Sequence, residues 1–177
     1  GGFRKGANFG NYLEAPKGQD WGAKYDVSDL EAMKREGFDH VRIPVRWNDY
    51  TGPAPKFTIA PDVFGKVDFL VTNALAQGLS VIVNIHHFDD LTTDPAGSTP
   101  KFLAIWKQIS EHYADAPKEL VFELLNEPKD AATTEVINPI YAQAIKVIRE
   151  KNPDRRIFVG PGRWNSLDEV EKLQLPA

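Results

Sequence analysis

The sequence predicts an α/β fold, and within that class a (β/α)8 barrel of which this chain supplies about the first five βα units. Strand-like apolar runs alternate with amphipathic helical segments, a pattern typical of right-handed βαβ units in a parallel sheet covered on both faces. The predicted strands recur at a regular spacing, starting near Val41, Val81, Val121 and Ile157. Polar side chains follow these strands on one side, as they do at the active face of a barrel.

An open, doubly wound sheet is the competing arrangement. The first predicted strand lacks the G-x-G-x-x-G turn of a dinucleotide fold, and no G-x-x-x-x-G-K-S/T phosphate loop occurs. The barrel is therefore favoured. A complete barrel takes about 250 residues, whereas this sequence has 177. Residues 1–177 are accordingly predicted to form the N-terminal part of a single domain, with the sixth to eighth βα units absent from this chain.

The individual elements follow from apolar periodicity and end signals. The predicted strands span residues 4–10, 40–47, 80–87, 120–128 and 156–160. The first helix is predicted to open with a capping box at Ser28–Glu31 and to end at Gly37. Pro61 and Pro100 are predicted to start the next two helices. A last helix centres on Ala144, and a second capping box is predicted at Ser166–Glu169.

Composition excludes several classes of partner and site. The chain is 42% hydrophobic and 26% charged, and its net charge of −4 argues against nucleic acid or an anionic membrane as the partner. No apolar run approaches the ~20 residues that a membrane span needs. Cysteine is absent, so disulfides, zinc–thiolate sites and cysteine nucleophiles are excluded.

Glu127 is the acid whose position most suggests chemistry. It follows a buried strand directly and precedes Pro128, which has no N–H for a ladder and therefore ends the strand. A carboxylate held at a strand exit is positioned by rigid backbone, as a catalytic acid must be. A solvated acid at the start of a loop is the alternative that a lone Asn-Glu-Pro leaves open.

Two further positions inside apolar strands need an explanation. Arg42 requires anions if it is buried, and Glu123 is predicted to be its partner, or that of a histidine, inside the barrel. His86 and His87 could be read as metal ligands, but consecutive strand residues face opposite ways and no third ligand has a matching spacing. We therefore expect no metal and no cofactor.

These motifs together resemble glycoside hydrolase family 5, the cellulase-type retaining (β/α)8 glycosidases. The resemblance rests on residues 41–47, 83–87 and 122–128, and residues 8–16 and 160–165 look like the family's first and fifth strand exits. It implies a secreted endo-β-1,4-glucanase that hydrolyses internal bonds of β-1,4-glucan with retention. A β-1,4-mannanase, or a dual glucanase and mannanase, is the alternative on the same scaffold.

The resemblance also implies a role for each residue that matches a family motif. Glu127 is expected to be the general acid/base, beside Asn126, which bonds the sugar 2-OH. Arg42 is expected to orient the nucleophilic carboxylate, and His86 to join the hydrogen-bond network around the same sugar. The expected substrate-binding residues are Asn11, Glu14, His87, Trp164 and Trp21, the last two by stacking.

The chain departs from the family pattern in its second carboxylate. The family takes its nucleophile from a glutamate that ends the seventh strand, and the resemblance stops before the sixth. The predicted partner is therefore the C-terminal half of the barrel, as a separate chain or as an identical half-barrel. Residues 41–45, 81–85 and 122–125 are expected to be buried against the partner's strands. A non-catalytic half-barrel that assembles or binds sugar is the alternative of another class.

Overall fold

The protein is described here by a computed structural model covering residues 2–176. Its centre is a five-stranded parallel sheet with the order β1-β2-β3-β4-β5. The strands are β1 (Gly6–Asn8), β2 (His40–Ile43), β3 (Ser80–Asn84), β4 (Leu120–Glu123) and β5 (Ile157–Phe158). The helices are α1 (Val27–Arg35), α2 (Pro61–Ala76), α3 (Asp89–Thr93), α4 (Pro95–His112), α5 (Thr134–Arg149) and the short α6 (Gly162–Asn165).

Each strand pairs with its neighbour in sequence, so the strand order never reverses. A doubly wound sheet reverses its order at a switch point, and none occurs among the described strands. The result is a run of consecutive βα units, as predicted. The strands themselves are shorter than predicted, and β5 has only two residues. The chain leaves the ladder near the first polar residues that follow each strand.

The outer face of the sheet forms the hydrophobic core with the helices. Val41, Val81 and Phe122 on this face are each 0% exposed, and they pack with α2 and α4 residues such as Leu70 and Trp106. Residues 41–45, 81–85 and 122–125 were expected to be buried by a partner's strands, and that expectation is wrong for the apolar side chains of the outer face. Successive strand side chains alternate between faces, and the apolar ones on the outer face lie under helices of the same chain, whereas Ile82 and Val121 lie on the inner face.

The inner face of the sheet is mixed in polarity and strongly curved. By the strand register it carries Asn8, Arg42, Ile82, Asn84, Val121 and Glu123. On this face the Phe3 ring lies 5.0 Å from the His40 ring and 5.4 Å from the Phe158 ring. His40 belongs to β2 and Phe158 to β5, which in a flat sheet would lie three strand spacings of about 4.8 Å apart. The Phe3 ring nevertheless contacts both. Only a curved sheet allows this contact.

Two predicted helix starts are wrong. The N-cap of α1 is Asp26, not Ser28: its carboxylate accepts from the backbone N–H of Ser28, and Asp29 returns a bond to Asp26. A carboxylate at the N-cap serves as well as a hydroxyl, and this one comes two residues earlier. Helix α4 begins at Pro95, with Asp94 capping the N–H of Gly97.

Pro100 therefore lies inside α4 rather than at its start. The predicted box at Ser166 is also absent, since Ser166 makes no side-chain cap at the 3₁₀ turn Leu167–Lys172. Glu169 instead accepts from the Thr134 hydroxyl at 2.8 Å. The predicted start of α2 at Pro61 and the predicted end of α1 at Gly37 are confirmed. Gly37 has the left-handed φ of +78° that follows many helices.

Candidate active site

Polar side chains from four neighbouring strands meet at the carboxyl end of the sheet. The Arg42 guanidinium is their centre, and its N–H groups donate over 2.6–2.9 Å to Glu123, Asn8 and Asn126. Two of these bonds, both 2.6 Å, go to the two oxygens of Glu123 and form a planar fork. The predicted pairing of Arg42 with Glu123 is confirmed.

Asn126 and Glu127 lie where the chain leaves β4. The N–H of Asn126 donates to the Ile85 carbonyl at 2.9 Å, which ties this exit to that of β3. Glu127 then adopts a left-handed φ of +41°. This turn brings both side chains to the same open cleft of about 520 Å³, although neighbours on a regular strand point apart. Glu127 is exposed and lines this cleft together with Arg42 and Glu123.

Left-handed backbone recurs at the other strand exits. The non-glycine residues with positive φ include Asn11 after β1, His87 after β3, Glu127 after β4 and Trp164 after β5. Such conformations cost of order 1–3 kcal/mol each and persist where surrounding structure enforces them, most often at functional sites. Their position at four exits on one side of the sheet marks this end of the molecule as the candidate site.

The two histidines after β3 lie in different surroundings. Burial, followed by the nearby Arg42 charge, lowers the pKa of His86 to about 3, so its imidazole is neutral at neutral pH. Burial also lowers the pKa of His87, with the Arg46 charge as the next cause. The two rings meet edge to face at 4.4 Å. On its other side the His87 ring lies 6.0 Å from Trp21.

Asn11 and Glu14 form a compact turn after β1. Glu14 is 5% exposed, and its two carboxylate oxygens accept from the backbone N–H groups of Asn11 and Tyr12. The Glu14 carbonyl accepts from the Arg46 side chain at 2.9 Å. The Glu14 carboxylate thus holds the turn in which Asn11 has its left-handed conformation, and the direct sugar contact of Glu14 stays a prediction.

The four tryptophans divide into core and surface pairs. Trp106 is fully buried, and so is Trp47, whose Nε1–H donates to the Asn84 carbonyl at 2.9 Å. Trp21 and Trp164 are 41% and 58% exposed on the side of the strand exits. The backbone N–H of Trp164 donates to the Pro128 carbonyl at 3.0 Å, which fixes the β5 exit beside Glu127.

Comparison with known proteins identifies the family. A family model described as Cellulase (glycosyl hydrolase family 5) matches residues 4–177. The chain belongs to glycoside hydrolase family 5. Endoglucanase H of Acetivibrio thermocellus is 34% identical over 171 residues, which are 97% of this chain and 19% of that protein. The predicted resemblance is confirmed.

Solved family structures agree with the fold described above. Clostridial cellulose synthase subunit Z (CcsZ) from Clostridioides difficile superposes with a TM-score of 0.95 at 42% identity, over 99% of this chain and 58% of that one. Thermotoga maritima Cel5A, solved with mannotriose, gives a TM-score of 0.94 at 39% identity, over 98% and 56%. The chain thus spans just over half of these solved chains. The predicted fold class, a (β/α)8 barrel of which this chain supplies five units, is confirmed.

Asn8 and Asn84 belong to the same polar cluster but are not predicted as site residues from the sequence. Asn8 accepts from Arg42, and Asn84 contacts both Glu123 and His86. Each is a polar side chain within or at the end of an apolar strand. Buried amides are nearly always hydrogen-bonded, so the amide of Asn84 in particular was a usable signal.

Neither a metal-ligand cluster nor a membrane-spanning helix occurs within residues 2–176. No group of three or more potential metal-ligating side chains lies together in this part of the chain. No helix within the same residues is long and apolar enough to cross a membrane.

Proposed function

We propose that this chain supplies the acid/base half of a retaining endo-β-1,4-glucanase site. The observation that carries the proposal is the position of Glu127: an exposed carboxyl on a left-handed turn directly after β4, beside Asn126 and the Arg42–Glu123 pair, in an open cleft. Glycosidases of this class need a carboxyl that gives a proton to the leaving glycosidic oxygen and then takes one from water.

The neighbouring side chains fit the other requirements of such a site. Asn126, oriented by Arg42, is proposed to bond the sugar 2-OH, a contact that strengthens in the transition state. His86 and His87 are proposed to bond further hydroxyls, together with Asn11. Trp21 and Trp164 expose flat faces on which a pyranose ring can stack.

We propose that the nucleophile comes from outside residues 2–176. Retaining glycosidases place their two carboxyl groups about 5–5.5 Å apart. Glu123 lines the same cleft as Glu127, but both of its oxygens are bonded to Arg42. The solved relatives are nearly twice as long as the part that this chain matches, which leaves room for a second carboxylate in the remaining units.

The C-terminal half of the barrel is the proposed partner, as a separate chain or as an identical half-barrel. Strands β1 and β5 are the two edges of the described sheet, with peptide groups open to further pairing. Beside β5 a groove of about 550 Å³ is lined partly by the apolar side chains of Ile145, Ile157, Val159 and Leu175. These features support a further βα unit next to β5.

The proposed substrate is a β-1,4-glucan, and mannan is a second candidate. Thermotoga maritima Cel5A has been solved in complex with mannotriose as substrate and in complex with cellobiose. Because that protein is similar to this chain, rates on cellulose-type glucan and on glucomannan should be compared. A polymeric substrate also supports an extracellular location, which we propose on that ground.

Replacement of Glu127 by Gln in the assembly that carries all eight units tests the proposal. Cleavage of natural glucan should fall by about 10²–10⁴-fold, the usual contribution of a general acid. An aryl cellobioside with a good leaving group should keep its glycosylation step, because that step no longer needs a proton. Glu119→Gln, at the opposite end of the same strand, is the matched control and should keep full activity.

Equal losses of kcat/KM, which reports the glycosylation step, on both substrates after Glu127→Gln would refute the acid/base assignment. Sugar binding without any hydrolysis by the assembled protein would instead support the non-catalytic half-barrel.

A further inference from the structure

Asn84 lies at the end of β3, is fully buried, and touches two of the site's titratable residues. Its Oδ1 accepts from the backbone N–H of Val45 at 3.2 Å. Its Nδ2 lies 3.0 Å from Nδ1 of His86 and 3.3 Å from Oε1 of Glu123. The amide thus joins the exits of β2, β3 and β4.

These contacts fix which way the amide points. A backbone N–H can only donate, so the group facing Val45 must be the amide oxygen. The Glu123 carboxylate, already bonded to Arg42, can only accept, so the group facing it must be the NH₂. Both neighbours therefore demand the same orientation of Asn84.

The orientation of the amide determines the state of His86. One N–H of the Asn84 NH₂ points at Nδ1 of His86, so Nδ1 must accept and carries no proton. A neutral imidazole with a bare Nδ1 has its proton on Nε2. No group within residues 2–176 accepts a hydrogen bond from Nε2. Within the same residues Asn48 Oδ1 is the buried side-chain polar atom that lacks a partner, so Nε2 of His86 must reach solvent.

We propose that Asn84 is a positioning residue that holds His86 in the Nε2–H tautomer, so that His86 always presents a hydrogen-bond donor to the site. The charged and titratable groups around His86 fit this state. Burial is the main factor that lowers the pKa of His86 and so opposes a second proton on the ring, followed by Arg42, His87 and Arg46. A neutral donor can bond a sugar hydroxyl or a carboxylate without adding positive charge beside Arg42.

The tautomer itself can be read without substrate. In the full chain at neutral pH, heteronuclear NMR that correlates ring protons with ring nitrogens should show a single neutral tautomer for His86, with Nδ1 unprotonated. The signal is assigned by its loss in His86→Gln. A protonated Nδ1, or a population-averaged mixture of tautomers, would overturn the proposal.

Asn84→Asp changes the donor to an acceptor with little change of shape. When it is ionised, it can still accept from Val45 but cannot donate to Nδ1, so His86 should take a proton on Nδ1 above the pKa of the new carboxyl group. Asn84→Ala removes the donor without adding a charge and should give a mixture of tautomers. The matched control is Asn138→Asp, a buried amide on α5 that bonds the Lys172 carbonyl. This control should leave the His86 signal unchanged.

The consequence for catalysis rests on the proposed function, and the two can fail separately. In the complete assembly, kcat/KM for Asn84→Ala should fall in proportion to the fraction of His86 that keeps the Nε2–H tautomer, which is about twofold for an even mixture. An unchanged kcat/KM, with the tautomers shown to be mixed, would refute the positioning role. An inactive wild-type assembly with a pure Nε2–H tautomer would refute the proposed function alone.

Discussion

Arg42 organises the candidate site at the scale of single residues. Its side chain is 21% exposed and that of Glu123 13%, so the pair is largely withdrawn from water. A buried ion pair does not by itself stabilise a fold, because desolvation offsets the attraction. Arg42 matters for the site through its other two bonds, which fix the side chains of Asn8 and of Asn126, the residue before Glu127.

Arg42→Lys should therefore disturb the site more than the fold. Lysine keeps the charge but lacks the planar fork, so it cannot hold Glu123 with two bonds and also reach Asn126. We expect the free energy of unfolding to fall by only about 1 kcal/mol, the usual net contribution of one hydrogen bond, measured by denaturant unfolding. In the complete assembly, glucan hydrolysis should fall more than tenfold, about 1.4 kcal/mol or more in the barrier.

Arg35→Lys is the matched control for this change. Arg35 is exposed on α1, and its replacement should alter neither stability nor activity. Full activity of Arg42→Lys with an unchanged pH profile would make Arg42 a residue of the fold rather than of the site.

His86 makes stability depend on pH in a definite direction. The pKa of His86 is lowered from 6.5 to about 3 in the folded protein, first by burial. As the pH falls below 6.5, the unfolded chain binds a proton at His86 and the folded chain does not. The free energy of unfolding therefore falls as the pH decreases from 6.5 to about 3, with a slope that approaches about 1.4 kcal/mol per pH unit.

His86→Gln should remove this contribution. Denaturant unfolding of wild type and variant, compared between pH 6.5 and 5 where most carboxylates stay ionised, should give a stability difference that shrinks or reverses as the pH falls. Parallel pH dependences of the two proteins would show that His86 gains its proton equally well when folded.

At the scale of elements, the contact between β1 and β2 depends on a glycine. A Cβ built on Gly6 would overlap the His40 ring, which in turn packs against Phe3. Gly6→Ala should force this ring out of place and lower the free energy of unfolding by about 1–3 kcal/mol, the usual range for overpacking.

Gly65→Ala is the matched control. Gly65 is exposed inside α2, and a Cβ there meets no atom within 4 Å. Alanine is the better helix former, so this change should stabilise the protein by about 0.5–1 kcal/mol. If the two changes had similar effects in denaturant unfolding, the packing described between Gly6 and His40 would be wrong.

The sequence predicted the elements well where periodicity and burial decide them, and poorly where competing end signals occur. The strands and their order follow from apolar runs and spacing. The start of α4 does not, because Pro95 and Pro100 are both good starting residues and the capping carboxylate of Asp94 selects the first. Likewise Asp26 takes the capping role predicted for Ser28.

The candidate site was predictable to a similar degree. An arginine within an apolar strand predicts a carboxylate partner, and Glu123 is that partner. The supporting role of Glu14 was not predictable, because it depends on the left-handed turn at Asn11. The orientation of Asn84 was not predictable either, since three strand exits determine it together.

At the scale of the whole molecule, the two faces of the sheet have different requirements. The outer face is already covered by the helices of this chain, which is why its apolar strand residues need no partner. The inner face presents the Arg42 cluster and Glu127 to an open cleft. The outer face therefore stabilises the five βα units, and the inner face carries the groups of the proposed reaction. That reaction still needs a second carboxylate facing Glu127.

Covalent trapping of the nucleophile would show where that second carboxylate lies. A cellobioside with fluorine on carbon 2 and a good leaving group should slow the breakdown of the glycosyl-enzyme, so that the intermediate of a retaining enzyme accumulates. In the complete assembly, mass spectrometry of the digested protein should locate the sugar on a carboxylate outside residues 1–177, and this chain alone should take no label. A label on Glu123 or on any other acid of this chain, or hydrolysis with inversion and no label, would contradict a site shared between Glu127 and a nucleophile from the remaining units.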